Sequence, residues 1–348
     1  MSDDGSLLAR LRYPFWNDAE RRLRAPLRLG VAFVVVVFAL AATSVVVFGV
    51  GLPAPLPTVV PMLAVAVATL AAARYVDRRR LSDLGLRREP GWLADLGAGL
   101  ALGVLLQTLI AVVGVAAGWF RVADTLVGTV GGFASVLLVF LVVGFYEELV
   151  SRGLLLVNAA EGLRFAGRRG AVAAALAVSA VVFGLLHASN PGASTASTVG
   201  ITMAGAFLGV GFVLTGRLSF PVGVHVSWNA AQGLGYGFAV SGLPIEAALV
   251  DLEPTGPAVV TGGAFGPEAG LLGMGAVVVG TLATVWWVRV REGLPAGLVD
   301  PRVGVPTLRW RVAADGESTD DGKSAGEGES TVDGGESGQG EPVAESDG

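Results

Sequence analysis

Residues 29–73 form a run of 45 positions without one charged side chain. In water, such a run would have to be buried on every side. About 20 consecutive apolar residues suffice to cross the hydrocarbon of a bilayer as a helix. Further charge-free runs occur at 96–120, 125–146, 170–216, 218–245 and 269–288. With 53% hydrophobic and only 15% charged residues, the chain reads as all-α and polytopic, with about eight transmembrane helices. Pro53, Pro55, Pro57 and Pro61 divide the first run into two spans, because proline ends helices. The expected spans are 29–52, 57–73, 96–120, 129–158, 171–188, 194–216, 219–240 and 268–290, the fifth and sixth separated by the turn signal Ser189-Asn190-Pro191-Gly192.

Charge sets the expected orientation. Arginines cluster before span one and after spans two, four and eight, so the positive-inside rule places both termini in the cytoplasm of a plasma-membrane protein. The net charge of −5 conceals an asymmetry, because from Asp315 to Asp347 there are eleven acidic residues against one lysine, Lys323. That Gly-rich tail is expected to remain disordered. Residues 1–28, with six arginines and several aromatic residues, read as a cytoplasmic interfacial arm and not as a cleaved signal peptide. The chain then divides into two amino-terminal spans with a basic loop (29–94), a core (95–240), an extracytoplasmic loop (241–267), a last span (268–291) and a cytoplasmic segment with the tail (292–348). There is no cysteine, which excludes disulfides and thiolate metal sites, and nothing indicates nucleic acid.

Into this apolar background come Glu147, Glu148 and Arg152, at the end of the fourth run. Charge in a span is costly and tends to be kept for function. On a helix, Glu148 and Arg152 are four apart and share a face, so they can pair. Glu147 points about a third of a turn away, toward the face of Ser151, with no cation at i+3 or i+4. One carboxylate is thus tied to a guanidinium and its neighbour is free to handle protons. The chain's only two histidines also lie in spans: His187 four residues after Phe183, and His225 four before Asn229, on one helical face. Polar glue between helices would explain one such histidine; two, with none in any loop or tail, point to chemistry.

Taken in order, Glu147-Glu148-x-x-x-Arg152, Phe183-x-x-x-His187 and His225-x-x-x-Asn229 resemble the motifs of the CPBP family, the CAAX-prenyl-endopeptidase and bacteriocin-processing membrane proteases also called the abortive-infection family. The resemblance covers roughly residues 95 to 240. It implies an intramembrane endopeptidase whose catalytic core comes from spans four to seven and whose substrates are membrane-anchored proteins or peptides in the bilayer. In that reading Glu147 takes a proton from water, His187 orients the water or shares the proton, His225 and Asn229 donate to the oxyanion, and Glu148 with Arg152 holds the first motif. No cofactor is required, but His187 and His225 with a carboxylate would also resemble a zinc site with an open position, and the motifs leave that choice open. If span four ends near 160 and span five starts near 170, Glu147 and His187 differ in level by about 6 Å, which side chains can cover.

Two other classes fit the same charges. An ion relay or transporter normally shows repeat-related interrupted helices, and the Glu-Glu pair has no second copy. A catalytically silent scaffold for lipid-anchored peptides remains open. Other intramembrane proteases fit less well: neither histidine is followed by the Glu of His-Glu-x-x-His, and no Gly-x-Ser-Gly lies in spans four to seven.

Overall fold

The computed structural model describes residues 11–18, 20–293 and 302; the acidic tail, expected to be disordered, lies outside them, as does most of the segment after 293. The protein is an all-α polytopic membrane protein, with seven helices long and apolar enough to cross a bilayer among the described residues. Helix α1 (Ala25–Val50) starts with proline in its first turn and ends at Gly51, whose left-handed φ of 69° closes the last turn. The proline-rich segment then leads to α2 (Leu56–Ala71), which runs on through a π turn to Val76. Next come α3 (Trp92–Ala116), α4 (Val130–Glu148), a π-helical stretch Leu149–Leu156 and α5 (Val157–Gly162). The last three stack into one 33-residue span. They are followed by α6 (Gly167–Leu186), α7 (Thr195–Thr215), α8 (Ser219–Ala230) with a π extension to Gly235, the short α9 (Ala258–Thr261) and α10 (Leu271–Glu292).

Seven of the eight expected spans correspond to such helices, within a few residues. The seventh differs in kind. Helix α8 and its extension are short, about 25 Å at 1.5 Å per residue, and are buried on all sides from Leu218 to Trp228, Val222 excepted. A helix apolar all round is a central one, and α8 is enclosed by protein where α1 faces lipid: Phe38 and Phe48 on α1 are 72% and 74% exposed. The enclosure rests on glycine. On α3, Gly99 and Gly103 meet Phe220, Val224 and Trp228 backbone atoms, and a Cβ at Gly223 would stand 2.6 Å from the Leu96 carbonyl oxygen. From the other side, Gly144 of α4 admits Val226. The glycines read as packing positions in span six also pack, Gly205 on Ala180 and Gly209 on Leu176.

Two features correct the sequence reading. Between spans three and four, where no strand was expected, the chain forms β3 (Phe120–Val127), paired antiparallel with β4 (Ala248–Pro254) from the loop before α10. The smaller hairpin of β1 (Trp16–Asn17) and β2 (Arg22–Leu23) precedes α1. In addition, two arginines assigned to an interfacial arm are core residues. Arg22 and Arg28, 3% and 1% exposed, join Arg79 around Glu161, Asp77 and Asn158. A charge buried without a partner is expensive, so this cluster fixes the start of α1, the end of α2 and the end of α5 to one another. At the same end of the bundle, Asp95 receives Arg217 at 2.7 Å and Arg291 at 3.1 Å, joining α3, the α7–α8 turn and α10.

Because the chain has no cysteine, single substitutions report topology directly. Phe165→Cys, between α5 and α6, is expected to react with an impermeant maleimide from the cytoplasmic side only, and Val259→Cys from the outside only. Labelling of both from one side would contradict the orientation read from the arginines.

Candidate active site

Glu147 and Glu148 are the last two residues of α4, where the helix widens into π turns, a distortion that often marks functional positions. Glu148 is fully buried. Its Oε1 accepts from Arg152 Nη1 at 2.8 Å, the i,i+4 pair expected from spacing, and also from His225 Nδ1 at 2.8 Å. Arg152 uses its other arm, Nη2, to donate to the Gly205 carbonyl at 2.7 Å, and its guanidinium lies 4.6 Å over the Phe183 ring. One carboxylate therefore joins α4 to α8, and through Arg152 to α7 and α6.

Glu147 is placed otherwise. Its Oε1 accepts from the Tyr146 hydroxyl at 3.0 Å. Its Oε2 is buried with no hydrogen-bond partner, and stands 3.7 Å from His187 Nε2 and 3.9 Å from His225 Nε2. Both legs are too long for direct hydrogen bonds.

The ring orientations follow from the second nitrogen of each imidazole. His187, which caps the end of α6, places Nδ1 2.8 Å from the Phe183 carbonyl oxygen. A carbonyl only accepts, so Nδ1 carries the proton and Nε2 turns a lone pair toward Glu147. In His225, Nδ1 donates to Glu148, again aiming Nε2 at Glu147. Phe183 packs on both rings, with centroids 4.7 Å from His187 and 6.1 Å from His225.

Both histidines border a cavity whose wall also includes Asn229, Phe183 and Trp228. Asn229 lies one turn beyond His225 on α8 and makes no side-chain hydrogen bond among the described residues, so its amide is free to donate into the cavity. All six candidates, Glu147, Glu148, Arg152, His187, His225 and Asn229, thus converge on one place from α4, the π stretch, α6 and α8. As for a metal, no group of three or more His, Asp or Glu among the described residues is gathered so as to hold an ion.

Sequence reasoning missed several participants. Tyr146 and the Gly205 carbonyl serve Glu147 and Arg152, and Glu268, from the turn before α10, lines the same cavity. Gln232 holds Glu268 and lies seven residues after His225, so the helical face of His225 and Asn229 signals Gln232. Glu268 had no such local signal.

Residues 129–231 match the family model of the Rce1-like type II CAAX prenyl endopeptidases. The matched segment runs from the cap of α4 to the end of α8 and holds every one of the six candidates; it supports a membrane protease of the CPBP family. No curated protein and no solved structure matches the chain.

The two carboxylates are expected to fail differently. Glu148→Gln leaves Arg152 without its counter-charge in a dry interior, a loss of about 3–5 kcal/mol, and a clearly lower melting temperature in detergent. Glu147→Gln removes no ion pair to arginine and is expected to melt close to the native protein. Equal melting of the Glu148→Gln and native proteins would remove the structural role given to Glu148.

Proposed function

Given a membrane protein whose residues 129–231 resemble CAAX-type endopeptidases, we propose that this site hydrolyses peptide bonds of membrane-anchored proteins in the plasma membrane, by water activated at Glu147. The observation that carries the reading is the unpartnered Glu147 Oε2 facing two imidazole Nε2 atoms. A water bound there lends one proton to Glu147 and is oriented by the lone pair of His187. Its oxygen attacks the scissile carbonyl carbon, forming the C–O bond while its proton passes to Glu147. The carbonyl oxygen becomes an oxyanion, which receives hydrogen bonds from the Asn229 amide and from His225 Nε2, the latter when His225 carries a proton on each nitrogen with Glu148 as partner for Nδ1. Glu147 then passes its proton to the departing nitrogen, the C–N bond breaks, and an acid and an amine leave. Fixed donors aimed at a developing oxyanion in a dry cavity are typically the largest contributors to such catalysis, and losing one costs on the order of 10²–10³ in rate.

Sequestration of the site explains why the proton relay needs no exposed group. Glu147 and both histidines sit among aromatic side chains and are largely buried, where each interaction is stronger than in solvent. The termini lie in the cytoplasm in this reading, and prenylated tails are one class of substrate among lipid-anchored peptides.

The test uses the full chain in proteoliposomes with an acylated, internally quenched peptide. Glu147→Gln is expected to abolish cleavage while still binding the peptide, and Asn229→Ala to slow it on the order of 10²-fold. A chelator is expected to leave the native rate unchanged; inactivation by chelation with recovery on zinc addition would favour a metal held by His187 and His225. Native turnover by Glu147→Gln would overturn the assignment of Glu147.

A further inference from the structure

Six acidic side chains are buried among the described residues: Glu20, Asp77, Asp95, Glu148, Glu161 and Glu268. The first five each pair with arginine. Glu268 has no ion pair among the described residues, yet it is 5% exposed and lines the catalytic cavity with His187, His225 and Asn229. An uncompensated buried carboxylate is costly, so its surroundings show what it is held for.

The holding is elaborate. Gln232 Nε2 donates to Glu268 Oε2 at 2.7 Å, and the Ser241 amide donates to Oε1 at 3.2 Å. Gln232 is oriented in turn by Gln107, whose Nε2 donates to its Oε1 at 2.7 Å, and Asn190 ties the Ser241 carbonyl at 2.9 Å. The backbone around Glu268 is pressed against α7, where a Cβ at Gly200 would run into the Glu268 carbonyl. These neutral donors fix the carboxylate in the cavity without neutralising it. Burial pushes its carboxyl up to about 7, with the hydrogen bonds from Gln232 and Ser241 acting the other way. Burial alone thus favours the neutral acid, and a cation beside it would favour the ionised form.

We propose that Glu268 is a specificity residue that pairs with a basic side chain, lysine or arginine, of the bound peptide near its scissile bond. The inference rests on the proteolytic reading only in taking the ligand to be a peptide. Apolar and aromatic walls, Ile201, Phe207, Leu208 and Trp228, suit the aliphatic stem of such a side chain, whose charged end would meet the carboxylate. Glu268 touches substrate but handles no proton in the reaction.

The experiment uses the reconstituted full chain and acylated, internally quenched peptides that differ at a single position, Lys, Gln or Glu, scanned across the cleaved region. The native protein is expected to favour Lys over Gln at one position by about tenfold in kcat/KM, and to disfavour Glu. In Glu268→Gln the Lys-to-Gln ratio is expected to fall to near unity, in Glu268→Asp to be kept in sign, and in Glu268→Lys to reverse toward Glu. A second arm measures binding of the same peptides, fluorescently labelled, to Glu147→Gln protein with and without Glu268→Gln. If no peptide is cut but a Glu268-dependent preference for Lys persists in binding, proteolysis fails and the specificity assignment stands. The assignment is overturned if the native protein shows no preference for Lys in cleavage or binding, or if Glu268→Gln retains it. Should Glu268→Gln not fold, the native ratios and the Glu268→Asp protein decide on the same terms.

Discussion

The hydrogen-bonded set of Glu148, Arg152 and His225 is the interaction on which the rest of the site depends. A buried carboxylate needs positive charge, and here one oxygen accepts from both a guanidinium and an imidazole at 2.8 Å. Arg152 reaches Gly205 on α7 and lies over Phe183 on α6, so four helices are referred to a single charge. Because His225 is held by Nδ1, its Nε2 has one direction left, toward Glu147. Because Phe183 supplies the carbonyl that holds His187, that ring is aimed from the same point. Glu147 is left out of this arrangement and keeps one oxygen without a hydrogen-bond partner. In the mechanism proposed above, that oxygen is where water is oriented and deprotonated.

Much of this was legible in the sequence, for reasons local to the helix. Charge-free runs located the spans because a bilayer demands about 20 apolar residues wherever it is crossed. The i,i+4 spacing foretold the Glu148–Arg152 pair and left Glu147 outside it, and the two histidines were conspicuous for lying in spans. Hydropathy, however, does not separate a helix facing lipid from one facing protein, so α8 read as a span when it is the enclosed centre of the bundle. Pairing of Phe120–Val127 with Ala248–Pro254 joins segments more than a hundred residues apart and leaves no periodic trace in either. Arg22 and Arg28 looked like an interfacial arm because their partners, Asp77 and Glu161, come from elsewhere in the chain. The same limit hid Glu268, whose donors Gln232 and Ser241 meet it only in the folded protein.

The two ends of the molecule divide the work. At the arginine-rich end, ionic clusters around Glu161 and Asp95 are fully compensated and fasten helix termini together. Deeper in the bundle, the site holds one compensated carboxylate, Glu148, and two that are not paired with arginine, Glu147 and Glu268. Matched charge fastens the helix ends, and the chemistry and recognition proposed above fall where charge is left unmatched.

The central claim is that Glu147 activates water and does not itself become acylated. Repeated turnover of a peptide in H₂¹⁸O, followed by mass analysis of both the product and the Glu147-bearing segment of the protein, tests it directly. The account requires one ¹⁸O in the new carboxyl group of the product and none in the Glu147 side chain. Accumulation of ¹⁸O in Glu147 over many turnovers would show an anhydride formed on that carboxylate, and would contradict it.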